Sequence, residues 1–378
     1  MSRFRDNKFS SLKEYIPGEQ PQDKKYVKLN TNESPFPPSP SVIKAVNSEE
    51  VSKLNLYSDP ECKVLKKAVA ERYGVNTENV FLSNGSDEIL NFAFMLYGNV
   101  NGTVFPDISY GFYKVFGDLY NINYDAIPLT ESFEVNPDDY KNTGKFVVIA
   151  NPNAPTGIAL TLDVIEDIVR SNPDNVVLID EAYVDFGAES AISLIDKYSN
   201  LIVCRTYSKS RSLAGARLGF AFAAKELIAD LELIRNSTNP YNINRLTQIA
   251  GTAAIMQDEY YMDACKEIQR VRAITDNELK KLGFEVLKSK ANFLFAKHKD
   301  IDGGELYLKL KENGVLVRHF TNERICQYNR ITIGCCTDII VAVSEVIFVA
   351  FLVISRKNNT VFLDGKCVAV VKNCNTAT

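Results

Sequence analysis

The chain has 378 residues, of which 46% are hydrophobic and 24% charged, and its formal net charge is −4. That length suits one large and one small domain with a core that needs no disulfides, and the lack of a long basic block argues against nucleic acid as a partner. Eight scattered cysteines without a CxxC pair, and only two histidines (His298 and His319), argue against a metal site.

The start, Met1-Ser-Arg-Phe-Arg, carries no apolar signal segment, so the expected location is the reduced cytoplasm. Residues 1–35 are polar, with Pro17, Pro21 and Pro35, and read as an extended arm. Lys63 to Tyr73 places Val64, Leu65, Ala68 and Val69 on one helical face, and Gly74 fits its C-terminal stop. Val80-Phe-Leu-Ser83 is a short strand, and Ser86 or Asp87 is placed to cap the helix that follows. Phe146 to Ala150, Val176 to Asp180 and Leu201 to Cys204 are compact apolar runs with polar flanks, with a helix over Leu162 to Arg170. Such runs predict strands buried on both faces of a parallel sheet. The repeated strand–helix units give an α/β domain over about residues 45–240. A long charged helix over Gln257 to Leu282 opens a smaller α+β domain, with strands near 291–296, 315–317 and 331–333 and a helix over 304–313. The apolar run Ile339 to Ile354 contains Glu345 and is shorter than the ~20 residues a bilayer span needs. It reads as buried in protein, so no membrane partner is expected.

Ligands of open α/β sheets bind beyond the carboxyl ends of the strands. After the strand at 80–82 comes Ser83-Asn-Gly-Ser-Asp-Glu88, where Gly85 allows close backbone approach and a new helix offers free amides to an anion. After Ala150 comes Asn151-Pro-Asn-Ala-Pro-Thr-Gly157, a rigid polar loop. After Ile179 comes Asp180-Glu-Ala-Tyr183, and an acid at an apolar strand end is costly unless paired. After Cys204 comes a stretch of hydroxyls, Lys209 and Arg217 set among glycines. Each alone is an ordinary cap, turn, acid or basic loop. Together, at successive strand ends, they point to one site.

These motifs, with Leu29-Asn-Thr-Asn-Glu-Ser34, Leu56-Tyr-Ser-Asp-Pro-Glu61, Ser109-Tyr-Gly-Phe112, Ala214-Gly-Ala-Arg217 and Arg330-Ile-Thr-Ile-Gly334, resemble fold-type-I pyridoxal-phosphate-dependent aminotransferases. They occur in family order over roughly residues 10–334, and within the family the histidinol-phosphate branch is most similar. The resemblance implies a large domain with a mostly parallel seven-stranded sheet and a smaller α+β domain. Residues 1–44 would be an arm of the small domain, 45–240 the large domain and 241–334 the remainder of the small one, with 335–378 unassigned.

The resemblance also implies pyridoxal 5′-phosphate as cofactor, with Lys209 holding it as a Schiff base and later moving the substrate proton. Asp180 would keep the ring nitrogen protonated, Tyr183 would meet the ring oxygen, and Tyr110 would stack on the ring. Gly85, Ser86, Asp87, Thr206, Ser208 and Arg217 would hold the phosphate. Tyr57 would reach the phosphate of a neighbouring subunit, which implies a homodimer with shared active sites. Arg330 would clamp a substrate carboxylate and Arg318 a distal anion, with Tyr15 and Asn32 on the covering arm. The partners are then a small-molecule amino donor and a 2-oxo acid, histidinol phosphate and 2-oxoglutarate first. Aromatic amino acids, or decarboxylation of phosphothreonine, are alternatives on the same scaffold. A non-enzymatic binding protein is disfavoured by the joint presence of Lys209, Asp180 and Tyr183.

The chain departs from the family in two places. The family has Asn directly before Pro-Thr-Gly, where this chain has Ala154; either Asn153 supplies the amide by a small shift of the loop or the contact is absent. After Gly334 the family continues into an acidic amphipathic helix, whereas this chain has Cys335-Cys-Thr-Asp338, the apolar run, and a hairpin pattern around Asp364-Gly365.

Overall fold

The structure, a computed structural model, describes residues 12–47 and 49–345. In chain order the first half runs β1 (Val27–Lys28), α1 (Pro40–Val46), α2 (Lys63–Tyr73), β2 (Val80–Ser83), α3 (Ser86–Tyr97), β3 (Thr103–Pro106), α4 (Phe112–Leu119), β4 (Tyr124–Ile127), β5 (Phe146–Ala150), α5 (Leu162–Arg170) and β6 (Val177–Asp180). Then come β7 (Leu201–Thr206), β8 (Gly219–Ala223), α6 (Lys225–Thr238), α7 (Arg245–Met256), α8 (Asp258–Lys281), β9 (Phe284–Val286), β10 (Phe293–His298), α9 (Gly303–Glu312), β11 (Val315–Leu316), β12 (Arg318–His319) and β13 (Asn329–Thr332).

The large sheet has seven strands in the order β2-β8-β7-β6-β5-β3-β4. All neighbours are parallel except β8, which runs antiparallel to both β2 and β7. Every residue of β5, β6 and β7 is buried. Alternate side chains enter opposite layers, as strand geometry dictates. Val147, Ile149, Val177, Ile179, Leu201 and Val203 join one core with Leu65 and Val69 of α2, Ile165 and Ile168 of α5, and Ala250 and Ala254 of α7. Val148, Leu178, Ile202 and Cys204 join the other with Ile89 and Phe92 of α3, Phe116 of α4 and Leu231 of α6. Truncating a fully buried member such as Ile179 to alanine should cost about 2–5 kcal/mol.

A second sheet, β12-β13-β10-β9, is antiparallel throughout and packs on α8 and α9 through Ile268, Val271, Leu306 and Leu310. The arm joins this core: Leu29 is buried in it, and β1 pairs in parallel with β11. The run expected as one strand at 315–317 is therefore split. Residues 315–316 bond to the arm and 318–319 to β13, with Val317 buried at the crossover.

The stop at Gly74 is as expected, with φ 69° and its N–H bonded to Ala70 O. The cap of α3 is not. Gly85 is the N-cap, with no side-chain cap, and Asp87 is engaged elsewhere in the site. After Gly334 the chain is helical over 336–345, and Ile339, Ala342 and Val343 are buried in the small core. This part of the apolar run packs within the protein, as expected. The remainder of that run and the hairpin pattern lie outside the described residues. Among the described residues no helix is long and apolar enough to cross a membrane, and no cluster of side chains suited to a metal ion occurs.

Candidate active site

The strand ends form a cavity of about 210 Å³ lined by Ser86, Asp87, Tyr110, Asp180, Tyr183, Thr206, Ser208, Lys209 and Arg217 among others. It shares Thr31, Tyr110, Ala154, Tyr183 and Lys209 with an outer cleft of about 720 Å³, which adds Tyr15, Asn32, Arg318 and Arg330. Residues from Tyr15 to Arg330 thus meet at one place.

Asp180 ends β6 at the floor of the cavity and is 5% exposed. Burial pushes its carboxyl up to about 6, although it accepts Tyr113 Oη at 2.9 Å and Ala182 N at 3.2 Å. Among the described residues no cation is in direct contact with it. Lys209 lies on the loop between β7 and β8; its Nζ donates to Thr31 O at 3.1 Å and sits 5.8 Å from the Tyr183 ring centre. Burial, then the nearby Arg330, lower its amine to about 8. An amine so placed is neutral often enough near physiological pH to act as a nucleophile. Tyr183 Oη accepts Asn32 Nδ2 at 3.0 Å, and burial raises its phenol.

At the start of α3 the free amides face a ring of polar groups. Arg217 Nη2 pairs with Asp87 Oδ2 at 3.1 Å, and its Nη1 lies 3.4 Å from Ser208 Oγ. Tyr110 Oη donates to Asp87 Oδ1 at 2.8 Å. Thr206 Oγ1 is 3.0 Å from Ser208 Oγ. Gly85, at φ 78°, is packed so closely that a Cβ there would lie 2.6 Å from Arg217 Nη2. A helix N-terminus ringed by hydroxyls and a guanidinium is a cradle for a phosphate.

In the outer cleft Arg330 donates from Nη2 to Asn30 O at 2.9 Å, while its buried Nε has no partner. Arg318 is tied to the arm through Pro17 O and Ile16 O, each at 3.1 Å. Tyr15 stacks on Phe112 at 4.3 Å between ring centres. Asn32, besides its bond to Tyr183, accepts Thr332 Oγ1 at 2.9 Å.

Asn153 does not reach the cavity, and Tyr57, expected at the phosphate of a neighbouring subunit, lies outside it. Asn153 turns into its own loop: Nδ2 donates to Ile108 O and Thr156 Oγ1, both at 3.0 Å, and Oδ1 accepts Ser109 Oγ at 2.8 Å. Its side chain is fully used in holding the turn, with cis peptides before Pro152 and Pro155, and Ala154 faces the cavity instead. Tyr57 is 78% exposed and stacks on Tyr241 at 4.4 Å, outside the cavity lining. Conversely, sequence reasoning missed Tyr113, the partner of Asp180, which is the second residue of α4. Thr31 and Glu33 of the arm motif also line the cavity; the sequence alone assigns them no role.

Residues 24–340 match the family described as aminotransferase class I and II. The chain belongs to that family, a class of pyridoxal-phosphate-dependent enzymes. A histidinol-phosphate aminotransferase of Brachyspira hyodysenteriae is 49% identical over 351 residues, covering 92% of this chain and 99% of that protein. The Marinomonas protein of the same name is 50% identical over 338 residues, covering 88% and 96%. A solved histidinol-phosphate aminotransferase of Sinorhizobium meliloti, in complex with pyridoxal-5′-phosphate, superposes with a TM-score of 0.83 at 20% identity, over 93% of this chain and 98% of that one. The fold is that of the fold-type-I transferases.

Proposed function

We propose that the protein transfers an amino group between histidinol phosphate and 2-oxoglutarate, in the biosynthesis of histidine, with pyridoxal 5′-phosphate held through Lys209. One observation carries this reading. Lys209, the cation-seeking Asp180 and the phosphate cradle line one cavity, and that cavity opens into a cleft where Arg330 Nε is buried without a partner. The high identity to relatives bearing that name over nearly their whole length supports the choice of substrate.

The residues fit the cofactor. The amides at Ser86 and Asp87, with Thr206, Ser208 and Arg217, would take its phosphate. Asp180 would hold a proton on the ring nitrogen, with Tyr113 fixing the carboxylate. Tyr183 would donate to the ring oxygen, and Tyr110 would cover one ring face. The Ala154 side chain offers no amide for that oxygen, so Tyr183, oriented by Asn32, would carry the contact without an asparagine. Bound there, the cofactor supplies an electron sink for the bond broken at the substrate Cα. Lys209, its amine lowered by burial, would take and return the Cα proton. Arg330 would bind the carboxylate or phosphate next to that carbon through its free Nε. Arg318, Tyr15 and the arm would close on the distal end and exclude water.

The two cores are proposed to serve as the large and small domains. Because α7 packs in the large core, the junction is better placed within α8 than at residue 240. A homodimer and a cytoplasmic location belong to the same reading.

The deciding test mixes purified, cofactor-loaded protein with single amino donors and follows the visible absorption of the cofactor. Histidinol phosphate should discharge the band and 2-oxoglutarate should restore it. A response to phenylalanine or tyrosine without one to histidinol phosphate would redirect the proposal to aromatic substrates. Carbon dioxide release from phosphothreonine would redirect it to decarboxylation.

A further inference from the structure

Next to the cavity's lining residues along the chain is a cluster of buried charges that the chemistry above does not use. Its centre is Asp185, two residues beyond Tyr183. Asp185 Oδ2 accepts Ser210 Oγ at 2.5 Å and Arg211 Nη1 at 3.0 Å, and Oδ1 is bonded to Arg205 Nη2. Arg211, 1% exposed, continues to Asp258 and to Tyr73 Oη at 3.1 Å. Arg205 also lies 3.9 Å from Glu181, whose carboxylate accepts Ser190 Oγ and Ala191 N at 2.6 Å. Burial alone would push the Asp185 carboxyl up, but Arg205 and Arg211 outweigh it and hold the group ionised.

The connectivity of this cluster follows the site. Glu181 adjoins Asp180, Arg205 adjoins Thr206, and Ser210 and Arg211 directly follow Lys209. The loop carrying Lys209 is outside helix and strand; its ends are pinned by Tyr207 N to Leu218 O at 2.9 Å and Leu213 N to Tyr207 O at 3.1 Å. Between those ends Ser208 faces the cavity and Ser210 faces Asp185. Several buried ions are an expensive way to fill a core and are weak evidence of net stability, which directs attention to what they hold in place. A long lysine side chain must be delivered to within a fraction of an ångström, and the groups that hold its backbone decide this.

We propose that Asp185 is the positioning residue for Lys209, acting through Ser210 and Arg211. The inference rests on the assignment of Lys209 as the cofactor lysine, and the test separates the two. Cofactor-free protein is mixed with pyridoxal phosphate; Lys209 Nζ forms a C=N bond with the aldehyde carbon and water leaves. The rate of that attachment is followed by absorbance, and the site is read by borohydride trapping and peptide mapping, with no amino donor present. Affinity for pyridoxamine phosphate, which has an amine in place of the aldehyde and binds without the covalent link, reports the cradle alone.

Ser210→Ala removes one hydroxyl and leaves both arginines paired with Asp185. It should slow attachment about tenfold or more at every pH while leaving pyridoxamine phosphate affinity within twofold of wild type. Ser210→Thr should restore the rate. Asp185→Asn should slow attachment further; should it fail to fold, the serine pair decides alone. Attachment by Ser210→Ala within twofold of wild type overturns the proposal, as does an equal loss of pyridoxamine phosphate affinity, since the whole cavity would then have loosened. Trapping of wild type at a lysine other than Lys209 overturns the assignment beneath it instead.

Discussion

Lys209 and Asp180 sit in one cavity with their ionisation pushed in directions that favour neutral forms, the amine down to about 8 and the carboxyl up to about 6. Covalent capture of an aldehyde needs the neutral amine. The attachment rate should rise with pH and level off above about 8. Burial is the larger cause of the shift and the positive Arg330 the next, so Arg330→Gln should move the midpoint upward; an unchanged midpoint would remove Arg330 from the electrostatics of the site. For Asp180 the sign is the reverse of the usual surface carboxylate. The folded, cofactor-free protein holds this proton more tightly than the unfolded chain, whose value is near 3.8. Its contribution to stability is therefore full below that value and is lost as pH rises toward 6. Asp180→Asn, which can keep bonds to Tyr113 and Ala182, should stabilise the cofactor-free protein by about 1–3 kcal/mol at pH 7–8 and by nothing near pH 3. The same change should cut transamination by several orders of magnitude, because a ring nitrogen without its proton is a poor electron sink. Thermal melts across pH, paired with turnover assays, check both halves. Asp180 was legible in the sequence because an acid closing an apolar strand demands a partner. Tyr113 was not, because a tyrosine in a helix reads as core until its hydroxyl is placed.

At the scale of elements, the site depends on how tightly β8 presses against the start of α3. A Cβ at Gly219 would lie 2.5 Å from both Gly85 C and Ser86 N. Those are backbone atoms, which cannot swing aside. Gly219→Ala should therefore displace the amides of the phosphate cradle. The expected result is a loss of about 1–3 kcal/mol in stability and a larger than tenfold loss of pyridoxamine phosphate affinity, read by melting and by titration. Full affinity would show that the cradle tolerates the shift. This contact also shows where sequence reading stops. β5, β6 and β7 announced themselves as uninterrupted apolar runs because both faces are buried. β8, Gly219-Phe-Ala-Phe-Ala223, is likewise apolar and buried throughout, but three of its five residues are glycine or alanine, which favour strands little, and it follows directly on the motif-rich loop. β4 is only partly buried and carries Asp125, which masks its period. The cap of α3 was misread for a related reason. Ser86 and Asp87 are good capping residues in isolation, but the tertiary need to aim Asp87 at Arg217 and Tyr110 leaves Gly85 as the N-cap.

At the scale of the whole molecule, the proposed homodimer would need an apolar surface near Tyr57. Leu54, Leu56, Tyr57, Val64 and Met256 are exposed by 55%, 57%, 78%, 71% and 75%. Val64 and Met256 border a cleft of about 470 Å³ that is mostly apolar in outline. Exposed apolar side chains of this kind are what the proposed homodimer would cover, and a symmetric pair would bury the same residues on both copies. Tyr57 is absent from its own cavity lining, so if it serves a phosphate, that phosphate belongs to the partner. The chain should sediment as a dimer, and complementation tests the shared site. Lys209→Ala has an intact Tyr57 but no amine; Tyr57→Phe has the amine but lacks the hydroxyl, a contact to a charged group worth about 1.5–3 kcal/mol. In a hybrid dimer the Tyr57→Phe chain would keep its own Lys209 and receive an intact tyrosine from the Lys209→Ala chain, so one of two sites would be whole. With random exchange of equal amounts, half of the dimers are hybrid, and whole sites should supply roughly a quarter of wild-type activity. If exchange is verified by mass spectrometry and activity stays at the level set by the Tyr57→Phe chains alone, each site is built from a single chain and the role of Tyr57 falls.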